Sequence, residues 1–288
     1  MTLIPTFSWP KDIRLAVSVV VNVEEGAEES IADGDRTPEP VDELQVVMSK
    51  GRNLGNESNY EYGIRAGAPR VLGLLRDYGI TATFTAAALA LERAPGLAKE
   101  IVADGHEVCA HGYRWAHQHW MKEDMERDFI RKATKSIEET CGKKPVGWLS
   151  RYVLTENTRR ILIEEGYTYH MDDYSDDVPR WDVVGGKPIL ISPYALDTND
   201  MKMWMDPAYT PDQWEKYLID TFEWLYAECA VSQNKMMSLG VHLRIVGRPG
   251  RMKAFENFLA HASAKDGVWF ATRQEIAATY AEQVPAPV

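Results

Sequence analysis

The stretch Leu15-Ala-Val-Ser-Val-Val-Val21 is followed at once by Asn22-Val-Glu-Glu-Gly26. An apolar and β-branched run of this length predicts a strand that is buried on both faces, as in the parallel sheets of α/β proteins. Glycine at position 26 permits a sharp turn directly after the two glutamates. The stretch therefore predicts a buried strand that carries two adjacent carboxylates to the end of a parallel sheet.

Patterns typical of strands and helices alternate along most of the 288 residues. Predicted helices end at Gly79, Gly105, Gly142 and Gly166, and a predicted strand follows each within a few residues. Such alternation predicts βα units around a largely parallel sheet. We therefore predict an α/β fold in which one barrel-like domain spans residues 1–288. A polar stretch over residues 28–62 is too long for an ordinary connection and is predicted to be a functional loop.

Charge and cysteine content narrow the classes of protein. Lys and Arg number 32 against 43 Asp and Glu, a net charge of -11, so neither nucleic acid nor an anionic membrane is an expected partner. Three widely spaced cysteines fit neither a disulfide framework nor a zinc cluster. Residues 1–10 lack the pattern of an export signal, and no stretch approaches a membrane span. We therefore expect a cytoplasmic protein that acts on small metabolites.

Five residues that could belong to an active site share one type of position. Each lies at or just beyond the carboxyl end of a predicted strand: Glu24, Glu25, His111, Trp148 and His242. In barrels built of βα units, the loops at this face converge on one mouth, where active sites are found. The pattern therefore predicts one shared site.

Each of these residues also has an ordinary structural explanation. The glutamates could be solvated acids at the start of the loop, and His242 could be a buried histidine with a satisfied ring. Four of the seven histidines lie between positions 106 and 119. His111, His117 and a glutamate could form a zinc site, although histidine spacing alone is a weak indication of one.

Two further segments offer groups that could bind a substrate. Arg244 opens a series of arginines that could form a basic rim for an anionic or carbonyl-rich ligand, or an ion-pair network with neighbouring acids. Asn199 and Asp200 follow a predicted strand, and their polar groups could bind substrate amides.

Several motifs, taken in order, resemble the polysaccharide deacetylase superfamily over nearly the whole chain. More closely, the chain is similar to the metal-independent allantoinase and cyclic imide hydrolase branch. The segments that carry this resemblance are Asn22-Val-Glu-Glu-Gly-Ala-Glu28, Asn59-Tyr-Glu-Tyr-Gly63, His111-Gly-Tyr-Arg-Trp115, Asp172-Asp-Tyr-Ser-Asp-Asp177, Leu196-Asp-Thr-Asn-Asp200 and His242-Leu-Arg-Ile-Val-Gly-Arg-Pro-Gly-Arg251. The resemblance implies a distorted seven-stranded (β/α) barrel and, in this branch, often a homotetramer.

The resemblance also implies roles for individual residues. Glu24 falls where the superfamily has its catalytic-base Asp, and His242 matches the late catalytic His. Glu25 and His111 fall on two metal ligands, so they are the residues that would hold a metal if one were bound. The third ligand is a histidine in metal-dependent members and is Trp115 here. Indole has no lone pair for a cation, so no metal is expected.

Three residues are expected to surround the substrate. The Arg-Pro-Pro-Tyr motif of the superfamily is replaced by Trp148-Leu-Ser-Arg151, so Arg151 is the candidate for the usual base-orienting arginine. Together with backbone N–H groups, Arg151 is expected to hold the oxyanion. Trp115 and Trp148 are expected to wall the pocket against a flat ring.

These observations lead us to expect a hydrolase that opens a cyclic amide of the hydantoin, ureide or imide type. Glu24 or Glu25 would activate water, His111 would position or polarise the ring carbonyl, and His242 would protonate the leaving nitrogen. Two alternatives remain at this stage. One is a zinc-dependent deacetylase of N-acetyl sugars in which His117 or His119 completes the metal site, and the other is a barrel that binds a ligand without catalysis.

Overall fold

The computed structural model describes residues 7–229 and 234–287. Positions 1–6, which belong to the N-terminal segment used to predict the absence of an export signal, lie outside the described residues. The strands of the described chain are β1 Leu15–Val23, β2 Thr83–Ala86, β3 Glu107–Ala110, β4 Gly147–Trp148, β5 Tyr169–His170, β6 Arg180–Val184, β7 Lys187–Ile191, β8 Lys235–His242 and β9 Val268–Phe270.

Helices follow most of the strands, as the α/β prediction requires. They are α1 Leu54–Tyr62, α2 Ala68–Tyr78, α3 Ala88–Arg93, α4 Pro95–Ala103, α5 Glu123–Cys141, α6 Thr158–Glu164, α7 Pro211–Glu228, α8 Leu243–Val246, α9 Pro249–Ser263 and α10 Arg273–Gln283. Within the described residues, no helix has both the length and the apolar character that crossing a membrane requires.

The strands form one curled sheet in the order β6-β7-β5-β4-β3-β2-β1-β8. Seven of these strands run parallel to their neighbours, and β6 adds an antiparallel edge through a hairpin with β7. β9 pairs with the first residues of β1, on the side that β2 occupies further along the strand. Within the described residues the sheet thus has nine strands, two more than the seven that were expected.

β1 lies inside the sheet because it is apolar on both faces. All nine of its residues are buried, and β8 pairs with it over eight positions. The two parallel strands end together, which brings Asn22 beside His242. The strand predicted from the opening stretch is confirmed, and it extends two residues further to Val23.

The predicted loop over residues 28–62 is shorter than expected because α1, of nine residues, occupies its end. The side chain of Asn53 caps this helix by accepting a hydrogen bond from the Asn56 N–H. The remaining segment folds back onto the carboxyl edge of the sheet, where Glu39 is buried. The loop therefore contributes a charged residue to the region of the predicted site.

Candidate active site

Three strands deliver ionisable side chains to one cavity at the carboxyl edge of the sheet. Glu24 follows the last residue of β1, His111 follows β3, and His242 ends β8. The cavity has a volume of about 280 Å³. Six of the residues predicted for the site line it, namely Glu24, His111, Trp115, Arg151, Asn199 and His242.

The Glu24 carboxylate lies at the centre of the polar contacts. Its Oε1 is 3.4 Å from His242 Nε2 and 3.6 Å from His111 Nε2, while its Oε2 accepts a 2.7 Å hydrogen bond from Arg244. Burial opposes ionisation, but the charges of Arg244 and His242 outweigh burial and hold the pKa of Glu24 well below its usual range. Glu24 is therefore an anion at neutral pH.

His242 is held in one orientation by Asp200. The Nδ1 of His242 lies 2.7 Å from Asp200 Oδ1, and the backbone N–H of His242 donates to Oδ2 at 2.7 Å. Burial disfavours the imidazolium, but the carboxylates of Glu24 and Asp200 outweigh burial and raise the pKa of His242 to about 9. His242 therefore carries a proton on Nε2 at neutral pH, on the side that faces Glu24 and the cavity.

His111 is oriented by a different kind of partner. Its Nδ1 lies 2.7 Å from the backbone carbonyl of Leu149, and a carbonyl can only accept a hydrogen bond. Nδ1 therefore carries a proton, which it donates to this carbonyl, while Nε2 faces Glu24 Oε1 at 3.6 Å. When the ring is neutral, Nε2 can accept a proton in the cavity.

Glu25 is buried next to Glu24 but does not line the cavity. Its Oε2 accepts a hydrogen bond from the backbone N–H of Glu24, and its Oε1 accepts one from the backbone N–H of Arg244. Gly63 leaves the space for this carboxylate, since a Cβ at position 63 would lie 2.5 Å from Glu25 Oε1. Glu25 thus connects the turn after β1 to the start of α8.

Arg244 lies among the acidic groups and not on a rim. Its side chain is buried, with its guanidinium bonded to Glu24, 3.5 Å from Glu25 Oε1 and 4.3 Å from the ring centroid of Tyr60. Arg244 does not line the cavity, because the two glutamates attract the guanidinium inwards. The ion-pair alternative holds here, and also at Arg251, which pairs with Glu43.

A family model for polysaccharide deacetylases matches residues 58–170. A Schizosaccharomyces pombe protein whose name assigns it to the polysaccharide deacetylases is 32% identical over 98% of this chain and 95% of its own length. The chain belongs to the polysaccharide deacetylase family. It is accordingly a hydrolase of that superfamily.

Two solved structures cover nearly all of this polysaccharide deacetylase family member. A Pseudomonas aeruginosa PAO1 protein described as a probable polysaccharide deacetylase is 41% identical, with a TM-score of 0.92 over 97% of this chain and 95% of that one. The PuuE allantoinase is 39% identical, with a TM-score of 0.94 over 99% of this chain and 96% of that one. The likeness confirms the predicted deacetylase-type barrel fold.

The donor groups of this family member do not fit a zinc ion well. Arg244 already places a cation against Glu24, and the oxygens of Glu25 are bonded to backbone N–H groups. Trp115 contributes an indole, which cannot ligate zinc. Over residues 7–229 and 234–287, no three His, Cys, Asp or Glu side chains are grouped so that they could hold a metal. The side chains present are therefore arranged as an ion-paired cluster.

The two histidines considered as substitute ligands lie elsewhere. His117 and His119 have ring centroids 5.4 Å apart and contact Trp120, and His117 also contacts Tyr152. Neither histidine lines the cavity that contains Glu24. They form an aromatic cluster beside the cavity, with Tyr152 between this cluster and Trp115.

Two residues predicted to contact a substrate have structural partners instead. Arg151 forms a bidentate ion pair with the buried Glu39 and also donates to the carbonyl of Trp115. Its guanidinium lies 3.7 Å from the Trp115 ring centroid, so it fixes that ring and the loop. Trp148 is fully buried, donates to Ser150 and does not line the cavity.

The structure adds residues to the cavity that sequence reasoning did not select. Asn22, Ser150 and Tyr194 line it, and the buried carboxylate of Asp172 accepts hydrogen bonds from both the N–H and the hydroxyl of Ser150. Burial raises the pKa of Asp172 to about 6, against the effect of these hydrogen bonds. Asn22 was detectable in principle, because it precedes Glu24 by two residues and therefore shares its side of the strand.

Proposed function

We propose that the protein opens a cyclic amide of the allantoin, hydantoin or imide type at a non-peptide C–N bond, without a metal ion. Two findings support this. The PuuE allantoinase matches nearly the whole chain, and the cavity combines a small volume with largely apolar walls and a few convergent polar groups. A flat ring that stacks on Trp115 would bring its carbonyl to the charged end of such a cavity.

The contacts of Glu24 carry the proposal. One carboxylate faces Nε2 of the protonated His242 and Nε2 of His111, and both histidines line the same cavity. Hydrolysis of an amide needs one group that takes a proton from water and one that gives a proton to the leaving nitrogen. The two histidines can supply these opposite functions because their other ring nitrogens have different partners, a carboxylate and a carbonyl.

The proposed reaction begins when water attacks the ring carbonyl carbon. His111 Nε2 takes the proton of the water, while Glu24 orients the water as a hydrogen-bond acceptor. The low pKa of Glu24 makes that carboxylate a weak base, so the scheme assigns the proton to His111, whose Nε2 faces the same cavity. The C–N bond then breaks as His242 Nε2 gives its proton to the ring nitrogen, which leaves a carboxylic acid and an amide or urea.

Arg244 acts through Glu24 in this scheme. Its permanent charge keeps Glu24 ionised, and the anion in turn favours the protonated form of His242. Arg244 is therefore a positioning residue. The positive charge beside Glu24 and Glu25 is thus the guanidinium of Arg244.

A second candidate is a metal-dependent deacetylase of N-acetyl sugars. It is favoured by the names of relatives, which include the S. pombe protein and a Helicobacter pylori peptidoglycan deacetylase that is 27% identical over 76% of this chain. The arrangement of Arg244 and Trp115 argues against a zinc site of that kind.

One experiment separates the two candidates. Protein purified without chelators is assayed for ring opening of allantoin, hydantoin and succinimide, and for acetate release from N-acetylglucosamine oligomers, before and after chelation. We expect ring opening that survives chelation and is abolished in His242→Ala. Stoichiometric zinc with chelator-sensitive acetate release would refute the proposal. The homotetramer and the cytoplasmic location stay predictions, for which light scattering and cell fractionation are the measurements.

A further inference from the structure

Tyr194 occupies a junction at the edge of the cavity. It follows β7, its side chain is buried, and it lines both the cavity of Glu24 and an adjoining cavity of about 420 Å³. Its backbone N–H donates to the carbonyl of Asp173. No step of the reaction described above uses its hydroxyl group.

Two amides donate to the Tyr194 hydroxyl oxygen. Asn199 Nδ2 lies 2.9 Å from this oxygen, and Asn22 Nδ2 lies 3.4 Å from it. The orientation of each amide is set by a backbone partner. Asn22 Nδ2 also donates to the carbonyl of Val241, and Asn199 Oδ1 accepts from the backbone N–H of Met201. Both amides therefore present N–H groups to Tyr194.

These two donors determine where the Tyr194 proton can point. A hydroxyl oxygen has two lone pairs, and both are directed at amide N–H groups. The proton must therefore be donated away from Asn22 and Asn199, and Tyr194 itself lines the cavity of Glu24 as well as the adjoining one. Burial raises the pKa of Tyr194 above its usual range, so the hydroxyl keeps its proton.

The position of this oxygen is closely constrained. A Cβ at Gly240 would lie 2.0 Å from the Tyr194 hydroxyl oxygen, so the strand β8 leaves room for it only because it has glycine there. Asn22 is also fixed from the other side by the hydroxyl of Thr85, which donates to its Oδ1. A donor held this firmly needs little reorganisation when charge develops on a substrate.

We propose that Tyr194 donates its hydroxyl proton in a hydrogen bond to the carbonyl oxygen that water attacks, and so stabilises the oxyanion. The inference rests on the proposed function, since it requires an amide carbonyl in this cavity. Arg151, the donor expected from the sequence, bonds Glu39 through both terminal nitrogens and the Trp115 carbonyl through Nη1. Ser150 donates to Asp172. Tyr194 lines the same cavity, and the two amide donors at its oxygen leave its proton free for a carbonyl bound there.

The first test compares two tyrosine variants. Tyr194→Phe is expected to lower kcat roughly 10²- to 10³-fold with little change in KM, as removal of one oxyanion donor does. Tyr167→Phe is the matched control, because it removes a buried hydroxyl that bonds Thr134 behind the sheet. We expect Tyr167→Phe to retain the wild-type kcat. A Tyr194→Phe enzyme with kcat within about threefold of wild type would overturn the inference.

The second test redirects the proton while keeping the tyrosine. Asn199→Asp retains an oxygen for the Met201 N–H but replaces the donor that faces Tyr194 with an acceptor. The Tyr194 proton then turns to position 199, and kcat should fall as it does in Tyr194→Phe. In the Tyr194→Phe background the same change should lower kcat little further. Equal losses in both backgrounds would show that Asn199 acts independently, which contradicts the inference.

The substrate panel distinguishes failure of the inference from failure of the proposed function. Wild-type protein that releases acetate from N-acetylglucosamine oligomers but opens no ring would refute the proposed function. The inference is then tested by the rate of acetate release in the Tyr194 variants. Ring opening that is insensitive to Tyr194→Phe would refute the inference alone. Wild-type protein that is inactive on both classes would refute both.

Discussion

Replacing Asp200 with asparagine tests whether His242 supplies the proton in the reaction. Asp200 is fully buried, and its two oxygens contact Nδ1 of His242 and the backbone N–H groups of His242 and Val246. Asparagine is close in size and can still accept from the backbone with its side-chain oxygen. The change therefore removes the charge beside the imidazole with little change in packing.

The size of the effect follows from the distance between the charges. At an effective dielectric constant of about 20, unit charges about 4 Å apart interact by roughly 4 kcal/mol. Since about 1.4 kcal/mol corresponds to one pH unit, the pKa of His242 should fall by up to about 3 units from its wild-type value of about 9. The protonated form, which is the acid, is then lost at a lower pH.

The assay is the pH profile of kcat for ring opening. Wild-type activity should fall as the pH rises through about 9, because His242 loses its proton there. In Asp200→Asn the same fall should begin nearer neutral pH. Asp197→Asn is the matched control, since Asp197 is an exposed residue of the same loop that bonds Tyr217. A basic limb that stays at the same pH in Asp200→Asn would refute the role of His242 as the acid.

Three other outcomes are expected. Arg244→Ala should lower the free energy of unfolding by roughly 3–5 kcal/mol in urea denaturation, because Glu24 is left buried without its counter-charge; a loss below about 1 kcal/mol would contradict this. Gly63→Ala should lower both the free energy of unfolding and kcat, because the added Cβ meets Glu25. Gly73→Ala in α2 is the control: its Cβ meets nothing within 4 Å, so it should be neutral or stabilising by up to about 1 kcal/mol. Equal effects of the two changes would refute the packing argument. Dialysis against a chelator should leave ring opening unchanged, and loss of turnover that zinc restores would contradict the proposed function.

Local features of the chain were predicted well because their causes lie within a few residues. The helices predicted to end at Gly79 and Gly142 do so, with those glycines in the left-handed region. The polar helix α1 was missed. Its apolar residues show no helical period, and at its carboxyl end it continues through a helical turn at Gly63–Gly67 into α2.

The sequence by itself placed Glu24, His111 and His242 at the carboxyl ends of predicted parallel strands, because strand patterns alternate with helix patterns along the chain. Only the tertiary structure decided what these groups do to one another. Arg244 is separated from Glu24 by 220 positions, yet its guanidinium bonds that carboxylate at 2.7 Å. Charge–charge energies depend on distances of a few ångström and on burial, and the folded chain alone sets both.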